Sequence, residues 1–211
     1  MINFSDIDYY FITDSNITKK SIFIDVKNAI EAGCKIVQYR EKKKDIEEKI
    51  KEAKEIKKIC QEKALFIIND NIDVALAVNS DGLHIGNKDI SFENARRSIG
   101  ENKIIGITAH NVSEAINAEK LGADYIGLAP IFKTQTKIDS IEAIGIKELE
   151  SVRKNVTIPI VAVGGIKKEN IKDVIKAGAN SIASISAILN SDDVYNEVKE
   201  FCKLIKESKD K

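Results

Sequence analysis

"EAGCKIVQYREKKK", residues 31–44, is the stretch whose reading decides the fold. It closes one kind of element and opens another. Gly33 marks a helix end, because glycine takes the left-handed conformation that lets a chain leave a helix and turn. Ile36 and Val37 then read as strand interior. Directly after them come Gln38, Tyr39, Arg40, Glu41 and Lys42, an abrupt change to amide and charge. The same passage from helix through glycine into strand recurs at Gly122 in "KLGADYI" (120–126) and at Gly178 in "KAGANSI" (176–182). Helices that return the chain to a new strand in the same way are the mark of βα units in a parallel sheet.

Working outward, eight short apolar runs alternate with charged amphipathic stretches. They are Tyr9–Thr13, Lys35–Tyr39, Ala64–Ile68, Asp81–Ile85, Lys103–Thr108, Asp124–Ala129, Ile158–Val163 and Ser181–Ile185. Most are continuous rather than alternating, as expected of strands covered on both faces. Between them, "DIEEKIKEAKEIKKIC" (45–60) puts Ile46, Ile50, Ala53, Ile56 and Ile59 on one helical face, and 112–122 and 168–178 behave likewise. Eight such units in 211 residues leave about 26 residues for each, so the sequence predicts a single (β/α)8 TIM-barrel domain of minimal size over 1–211. An open doubly wound sheet is the alternative, and eight regular strands argue against it. No composition shift points to a second domain.

Composition narrows the function. A chain this long can bury about 70% of the surface its unfolded form exposes. Lys plus Arg equals Asp plus Glu at 33 each, so there is no global basic field for nucleic acid, and any anion site must be local. Cys34, Cys60 and Cys202 are scattered and odd in number, which fits packed thiols rather than a zinc or redox motif. The residues after Met1 show no basic leader and no long apolar run, so a cytoplasmic protein without a membrane helix is expected.

In such barrels the chemistry sits at the C-terminal strand ends. Gln38, Arg40 and Lys42 follow the second strand, Asn69 and Asp70 the third, His84 and Asp89 the fourth, Thr108 and His110 the fifth. Asn69 and Asp70 read equally as site residues or as a turn or cap of the next helix. His84 leans to a structural role and His110 is open. Thr134, Gln135, Thr136 and Lys137 follow the sixth strand, Gly164 and Gly165 the seventh, and Ser184 and Ser186 the eighth. Paired glycines and small hydroxyls after the last two strands fit a phosphate held by backbone N–H groups. Asp70 with Asp89, beside Arg40 and Lys42, fits Mg²⁺ carrying a diphosphate, since that ion takes one or two carboxylates and fills its shell with water and phosphate oxygen. The residues therefore predict two anion sites at one barrel mouth.

Over nearly its whole length the chain resembles the thiamine-phosphate synthase family. The resemblance lies in "QYREK" (38–42), "IINDNIDVALAVNSDGLHIGNKD" (67–89), "IGITAH" (105–110), "GADYIGLAPIFKTQTK" (122–137), "IPIVAVGGI" (158–166) and "IASISAI" (182–188), in matching order and spacing. It implies coupling of 4-amino-2-methyl-5-(diphosphooxymethyl)pyrimidine to 2-(2-carboxy-4-methylthiazol-5-yl)ethyl phosphate, giving thiamine phosphate, diphosphate and CO2. It implies pyrimidine-diphosphate contacts at Gln38, Tyr39, Arg40, Glu41, Lys42, Asn69 and Thr108, and Mg²⁺ on Asp70 and Asp89. Thiazole-phosphate contacts fall on Thr134, Gln135, Thr136, Gly165, Ile185 and Ser186, with Lys137 on the diphosphate and Arg40, Lys42 and Lys137 as the catalytic cations. Two departures stand out: Thr108 where the family usually has Ser, and Tyr39 where Leu is common. The rivals are a thiazole tautomerase relative, which needs no metal-bound diphosphate, and a non-catalytic sensor of thiamine precursors, which need not hold a leaving group. The partners implied are small molecules, not nucleic acid or membrane.

Overall fold

The computed structural model describes residues 7–86, 88–134 and 142–210. Eight strands form one sheet: β1 (Tyr10–Ile12), β2 (Ile36–Tyr39), β3 (Leu65–Asn69), β4 (Gly82–Ile85), β5 (Ile104–Ala109), β6 (Tyr125–Leu128), β7 (Ile160–Val163) and β8 (Ser181–Ala183). Each pairs in parallel with the next in sequence. A parallel bridge from Tyr9 to Ile182, with the Ile182 N–H donating to the Asp8 carbonyl at 3.2 Å, brings the eighth strand back to the first. The result is the eight-stranded βα barrel that the sequence predicts. All eight expected strands are present, trimmed or shifted by a residue or two at their ends.

The helices between strands are α1 (Ile22–Glu31), α2 (Ile46–Cys60), α3 (Ile72–Val78), α4 (Phe92–Ile99), α5 (Val112–Leu121), α6 (Gly145–Asn155) and α7 (Ile171–Lys176), followed by α8 (Ser186–Leu189) and α9 (Val194–Lys209). The glycine repeat has a common geometry. At the ends of α1, α5 and α7 the residue after the glycine donates its N–H five residues back: Cys34 to Ala29, Ala123 to Ala118 and Ala179 to Val174. Gly33, Gly122 and Gly178 have φ of 104°, 93° and 105°, a region that costs a side chain but not glycine.

α2 starts on a full capping box, with the Asp45 carboxylate accepting from Glu48 N–H and Glu48 reaching back to Asp45 N–H. Its apolar face is narrower than the sequence indicates. Ala53, Ile56 and Cys60 are buried, whereas Ile46 is 41% exposed. Ile46 belongs to the first turn of the helix. The expected helix over 168–178 begins as a 3-10 turn, Lys168–Asn170, before α7.

Strand alternation places the site. In β2, Tyr39 points outward, its hydroxyl donating to Glu52 on α2 at 2.8 Å, while Gln38 points into the barrel and reaches Tyr10 on β1. The inward positions Gly106 and Gly127 carry no side chain. A Cβ on Gly106 would meet the Tyr125 ring at 2.0 Å, and one on Gly127 would meet His84 at 2.9 Å. Those glycines make the room that Tyr125 and His84 fill. No helix among the described residues is long and apolar enough to cross a membrane.

Candidate active site

A narrow pocket of about 30 Å³ opens at the C-terminal ends of the strands. Its wall includes Gln38, Arg40, Asn69, Thr108 and Ile185 from the sequence-derived set, together with Tyr10, His84 and Tyr125. Its apolar side is Ile12, Val161 and Val163.

The rim on the β2–β4 side is ionic. Arg40 donates from Nη1 to Asp14 Oδ2 at 2.6 Å, and both side chains are largely covered. Thr13 receives the Arg40 N–H on its hydroxyl at 2.9 Å, which pins the strand end. Lys42 forms an ion pair with Asp70. Asp70 sits at φ 60°, its N–H donating to the His84 carbonyl at 2.8 Å, so the chain turns sharply there and presents the carboxylate to the rim. The cap of α3 is the next residue but one from Asn69: Asn71 accepts from Val74 N–H at 3.0 Å. The capping role that Asn69 and Asp70 might have filled is thus taken by Asn71.

Asp89 comes over from the loop after β4, its Oδ2 accepting the Gly86 N–H at 2.7 Å. Asp70 and Asp89 are close enough for each to shift the acidity of the other. Burial pushes both carboxyls up. For Asp70 the Lys42 ammonium more than offsets this, together with Asp89, and the acid lies below its ordinary value. Asp89 is raised, by burial first and then by neighbouring Asp70, against the pull of Gly86 N–H. Two neighbouring carboxylates with one ammonium, paired to Asp70, lack positive charge.

That deficit is an observation against which Mg²⁺ can be tested. No group of three or more His, Cys, Asp or Glu side chains gathers around a common point among the described residues. A two-carboxylate rim suits a hard ion that completes its shell with phosphate oxygen and water, and does not suit a zinc cage. The residues fit.

The other predicted residues divide. Tyr39 and Glu41 face away from the pocket. Glu41 is tied down by Ser15 and by the Lys43 N–H at 2.8 Å, with Lys44 at 3.8 Å. Burial would raise its acid, but those partners hold it below its ordinary value. Any contact these two residues make with a ligand must come from their backbone. His110 is held at the Ala129 carbonyl, 2.5 Å from Nδ1, and does not line the pocket. His84 does, between Tyr125 and Thr108.

On the β7–β8 side, Gly164 and Gly165 have φ of 99° and 63°. Their missing side chains are required by the segment after β6: a Cβ on Gly164 would meet Pro130 at 2.8 Å, and one on Gly165 would meet the Lys133 carbonyl at 2.7 Å. Phe132 N–H donates to Gly164 O at 3.0 Å across this contact. The paired glycines therefore seat the loop after β6, a reason the sequence reading did not offer. Ser184 is turned inward onto the Ile166 carbonyl at 2.7 Å, while half-buried Ser186 opens α8. Thr134 is half-buried at the edge of the described segment. Gln135, Thr136 and Lys137 lie outside the described residues.

Three contributors were missed from sequence: Tyr10, Asp14 and Tyr125. Tyr10 and Tyr125 sit inside apolar strand runs and look like core. Asp14 lies just past the first strand, the same place that drew attention elsewhere, and position alone could have found it.

The family model described as thiamine monophosphate synthase matches residues 9–188. The chain is 55% identical over 204 residues to the thiamine-phosphate synthase of Methanosarcina mazei, covering 97% of this chain and 85% of that protein. The chain belongs to the thiamine-phosphate synthase family. The Methanosarcina barkeri thiamine-phosphate synthase is 50% identical, with 97% and 93% covered. Among solved structures, thiamine phosphate pyrophosphorylase from Pyrococcus furiosus superposes with a TM-score of 0.89 at 36% identity, covering 97% of this chain and 98% of that one. The family is one of transferases in thiamine biosynthesis, so the expected fold and enzyme class hold.

Proposed function

We propose that the chain joins 4-amino-2-methyl-5-(diphosphooxymethyl)pyrimidine to 2-(2-carboxy-4-methylthiazol-5-yl)ethyl phosphate, releasing diphosphate and CO2 and giving thiamine phosphate. The observation that carries this reading is the change of character from pocket to rim: neutral polar side chains on the floor, then Arg40, Lys42, Asp70 and Asp89 above them. Gln38, Asn69 and Thr108 take the pyrimidine, and Arg40, Lys42 and Lys137 take the leaving diphosphate. Lys42, which sits on Asp70 in the free protein, exchanges that carboxylate for a diphosphate oxygen. Mg²⁺ is held by Asp70 and Asp89, and supplies there the charge that balances the diphosphate. Thr134, Gln135, Thr136, Gly165, Ile185 and Ser186 hold the thiazole phosphate. Tyr39 and Glu41 contribute backbone.

The chemistry follows from what the site supplies. Among the described residues no cysteine serves as nucleophile: burial raises the Cys34 thiol to about 11 and the Cys60 and Cys202 thiols to about 12, and none of them lines the pocket. The cations instead stabilise charge that develops on the departing diphosphate. The pyrimidine amino group feeds electrons to the methylene left behind, so the C–O bond breaks first. The thiazole nitrogen then donates its pair to that cation; the C–C bond to the carboxylate breaks, CO2 leaves, and the electron pair left on the ring carbon takes a proton from water to give thiamine phosphate.

The purified chain, given both substrates and Mg²⁺, is expected to form thiamine phosphate with one diphosphate per turnover. Absence of product with each Mg²⁺ concentration tried would refute the proposal. Exchanging the pyrimidine methyl for trifluoromethyl is expected to slow single-turnover coupling by orders of magnitude with similar binding. An unchanged rate would replace the cation with direct displacement by the thiazole.

A further inference from the structure

The cations at the end of β2 are held from behind by the loop that follows β1. Three consecutive residues of that loop, Thr13, Asp14 and Ser15, grip the strand end in order, and none of them lines the pocket. Thr13 N–H donates to the Gln38 carbonyl at 3.0 Å. The Thr13 hydroxyl accepts from Arg40 N–H at 2.9 Å and donates to the Arg40 carbonyl at 3.2 Å. The Arg40 guanidinium donates to Asp14 at 2.6 Å, and the Ser15 hydroxyl donates to Glu41 Oε2. The loop is braced in turn. Asp14 Oδ1 accepts from Asn16 N–H at 3.0 Å, and the Asp14 carbonyl accepts from Ile17 and Thr18 N–H at 3.2 Å each.

Glu41 is the member that the site has not yet explained. Its side chain is 1% exposed, which a glutamate accepts only when its carboxylate is well partnered. It sits among lysines at the rim and still does not line the pocket. Its partners show its use. Oε2 takes the Ser15 hydroxyl, and Oε1 accepts the Lys43 N–H at 2.8 Å. The second bond closes a ring from Glu41 through its own side chain to the backbone two residues on. Both backbone dihedrals of Lys42 lie within that ring, so they are fixed, as in turns built by an Asp side chain in the same way. Lys44 lies 3.8 Å from Glu41 and 2.5 Å from Glu52, which ties the turn to α2. Lys42 itself is 53% exposed where it meets Asp70. Little packing steers a side chain so open to solvent, and its direction is set by the backbone it leaves.

We propose that Glu41 is a positioning residue for Lys42, anchored by Ser15: the buried carboxylate fixes the Lys42 backbone so that the ammonium is aimed across the rim at the diphosphate. This rests on Lys42 binding the diphosphate, as in the function proposed above. One loop thereby sets both cations, Arg40 through Asp14 and Lys42 through Ser15 and Glu41. A carboxylate that merely held the loop together would matter equally with or without an ammonium at residue 42. A positioning residue matters only through that ammonium. The sign of the effect is also diagnostic. By charge alone, deleting a carboxylate beside an anion site strengthens anion binding; by loss of positioning, it weakens it.

The test is a double-mutant cycle, read by calorimetric titration of inorganic diphosphate at fixed Mg²⁺, so no coupling reaction intervenes. Lys42→Ala is expected to weaken the diphosphate by about tenfold or more, the worth of a hydrogen bond to a charged group. Glu41→Ala is expected to weaken it by roughly fivefold, the lower limit for the freedom that one residue's backbone regains. In a Lys42→Ala background, Glu41→Ala is expected to change the affinity by less than about twofold. Glu41→Gln keeps an oxygen for Lys43 N–H and an amide for the Ser15 hydroxyl, and is expected to bind within about twofold of the parent. Ser15→Ala removes the anchor from a half-buried position; it is expected to weaken the diphosphate only while Lys42 is present, and serves if Glu41→Ala does not fold. Equal effects in the two backgrounds would overturn the proposal, as would tighter binding in Glu41→Ala or a Glu41→Gln variant as weak as Glu41→Ala. If Lys42→Ala weakens the diphosphate and the cycle is additive, only this inference falls. If Lys42→Ala leaves the affinity unchanged, the assignment of Lys42 in the function proposed above falls with it.

Discussion

Gly106→Ala isolates how much of the site depends on one absent side chain. The new Cβ would lie 2.0 Å from Tyr125 Cζ and 2.5 Å from its hydroxyl oxygen. Carbon atoms pack at about 3.5–4.0 Å, so the ring must retreat by roughly 1.5–2 Å. It has nowhere to go: Tyr125 is 1% exposed, packs beside His84 with ring centroids 5.5 Å apart, and is bonded to Tyr10 at 2.7 Å. Gly106 does not use a positive φ, so alanine adds no backbone strain and the effect is steric. Overpacking costs about 1–3 kcal/mol. Breaking the hydrogen bonds to Tyr10 and His84 adds about 1 kcal/mol each, for a total of about 3–5 kcal/mol. For a chain of this size that lowers Tm by roughly 10 °C. Thermal melts give the first reading, and affinity for the pyrimidine diphosphate the second, which is expected to fall because Gln38 and Thr108 lose their connection. The decisive control is the same substitution in a Tyr125→Ala background, where the clash is gone and the cost should largely vanish. A Tm equal to the parent's, or an equal cost in both backgrounds, would refute the steric account.

Replacing Asp89 with Asn removes the carboxyl whose folded value is raised. An acid raised on folding subtracts stability above its folded pKa, so the metal-free variant should melt higher than the parent near pH 7, a difference that closes as pH falls below the ordinary carboxylate range. Mg²⁺ affinity, read by calorimetry, should fall in the same variant. Asp70 has the opposite sign: its stabilising contribution is present above the unfolded value and is lost as pH falls through the lowered folded one, so Asp70→Asn is expected to lower Tm at pH 7 and to approach the parent in acid. Asp14→Ala leaves the covered Arg40 guanidinium without its carboxylate and should cost several-fold in pyrimidine-diphosphate affinity, as measured by titration, with thiazole-phosphate affinity unchanged. Lys137→Ala should lower kcat more than it raises either KM in steady-state assays, since its charge matters most as the leaving group develops its own.

The barrel was legible because its cause is local and repeated. Gly33, Gly122 and Gly178 end helices in the same way, and an apolar run follows each; backbone sterics and burial on both faces allow few other outcomes for such a pattern. The ends of the strands were legible for the same reason: a polar residue just past a buried run must sit at the mouth, which located Gln38, Arg40, Lys42, Asn69, Asp70, Asp89 and Thr108. Direction was harder. Tyr39 and Glu41 lie in the same charged stretch as Gln38 and Arg40, yet the alternation of the strand and the pull of Glu52 and Ser15 turn them outward. The partners that give these side chains their roles could not be read at all. Arg40 is set by Asp14, twenty-six positions away, and Tyr10 meets Tyr125 across a separation of 115. Gly106 and Gly127 look like weak points in strands until Tyr125 and His84 are seen to occupy their space. Strand, turn and mouth follow from neighbours in the chain. Which hydroxyl meets which imidazole follows only from closing eight strands around one axis, because that closure alone fixes distances between residues the chain keeps apart.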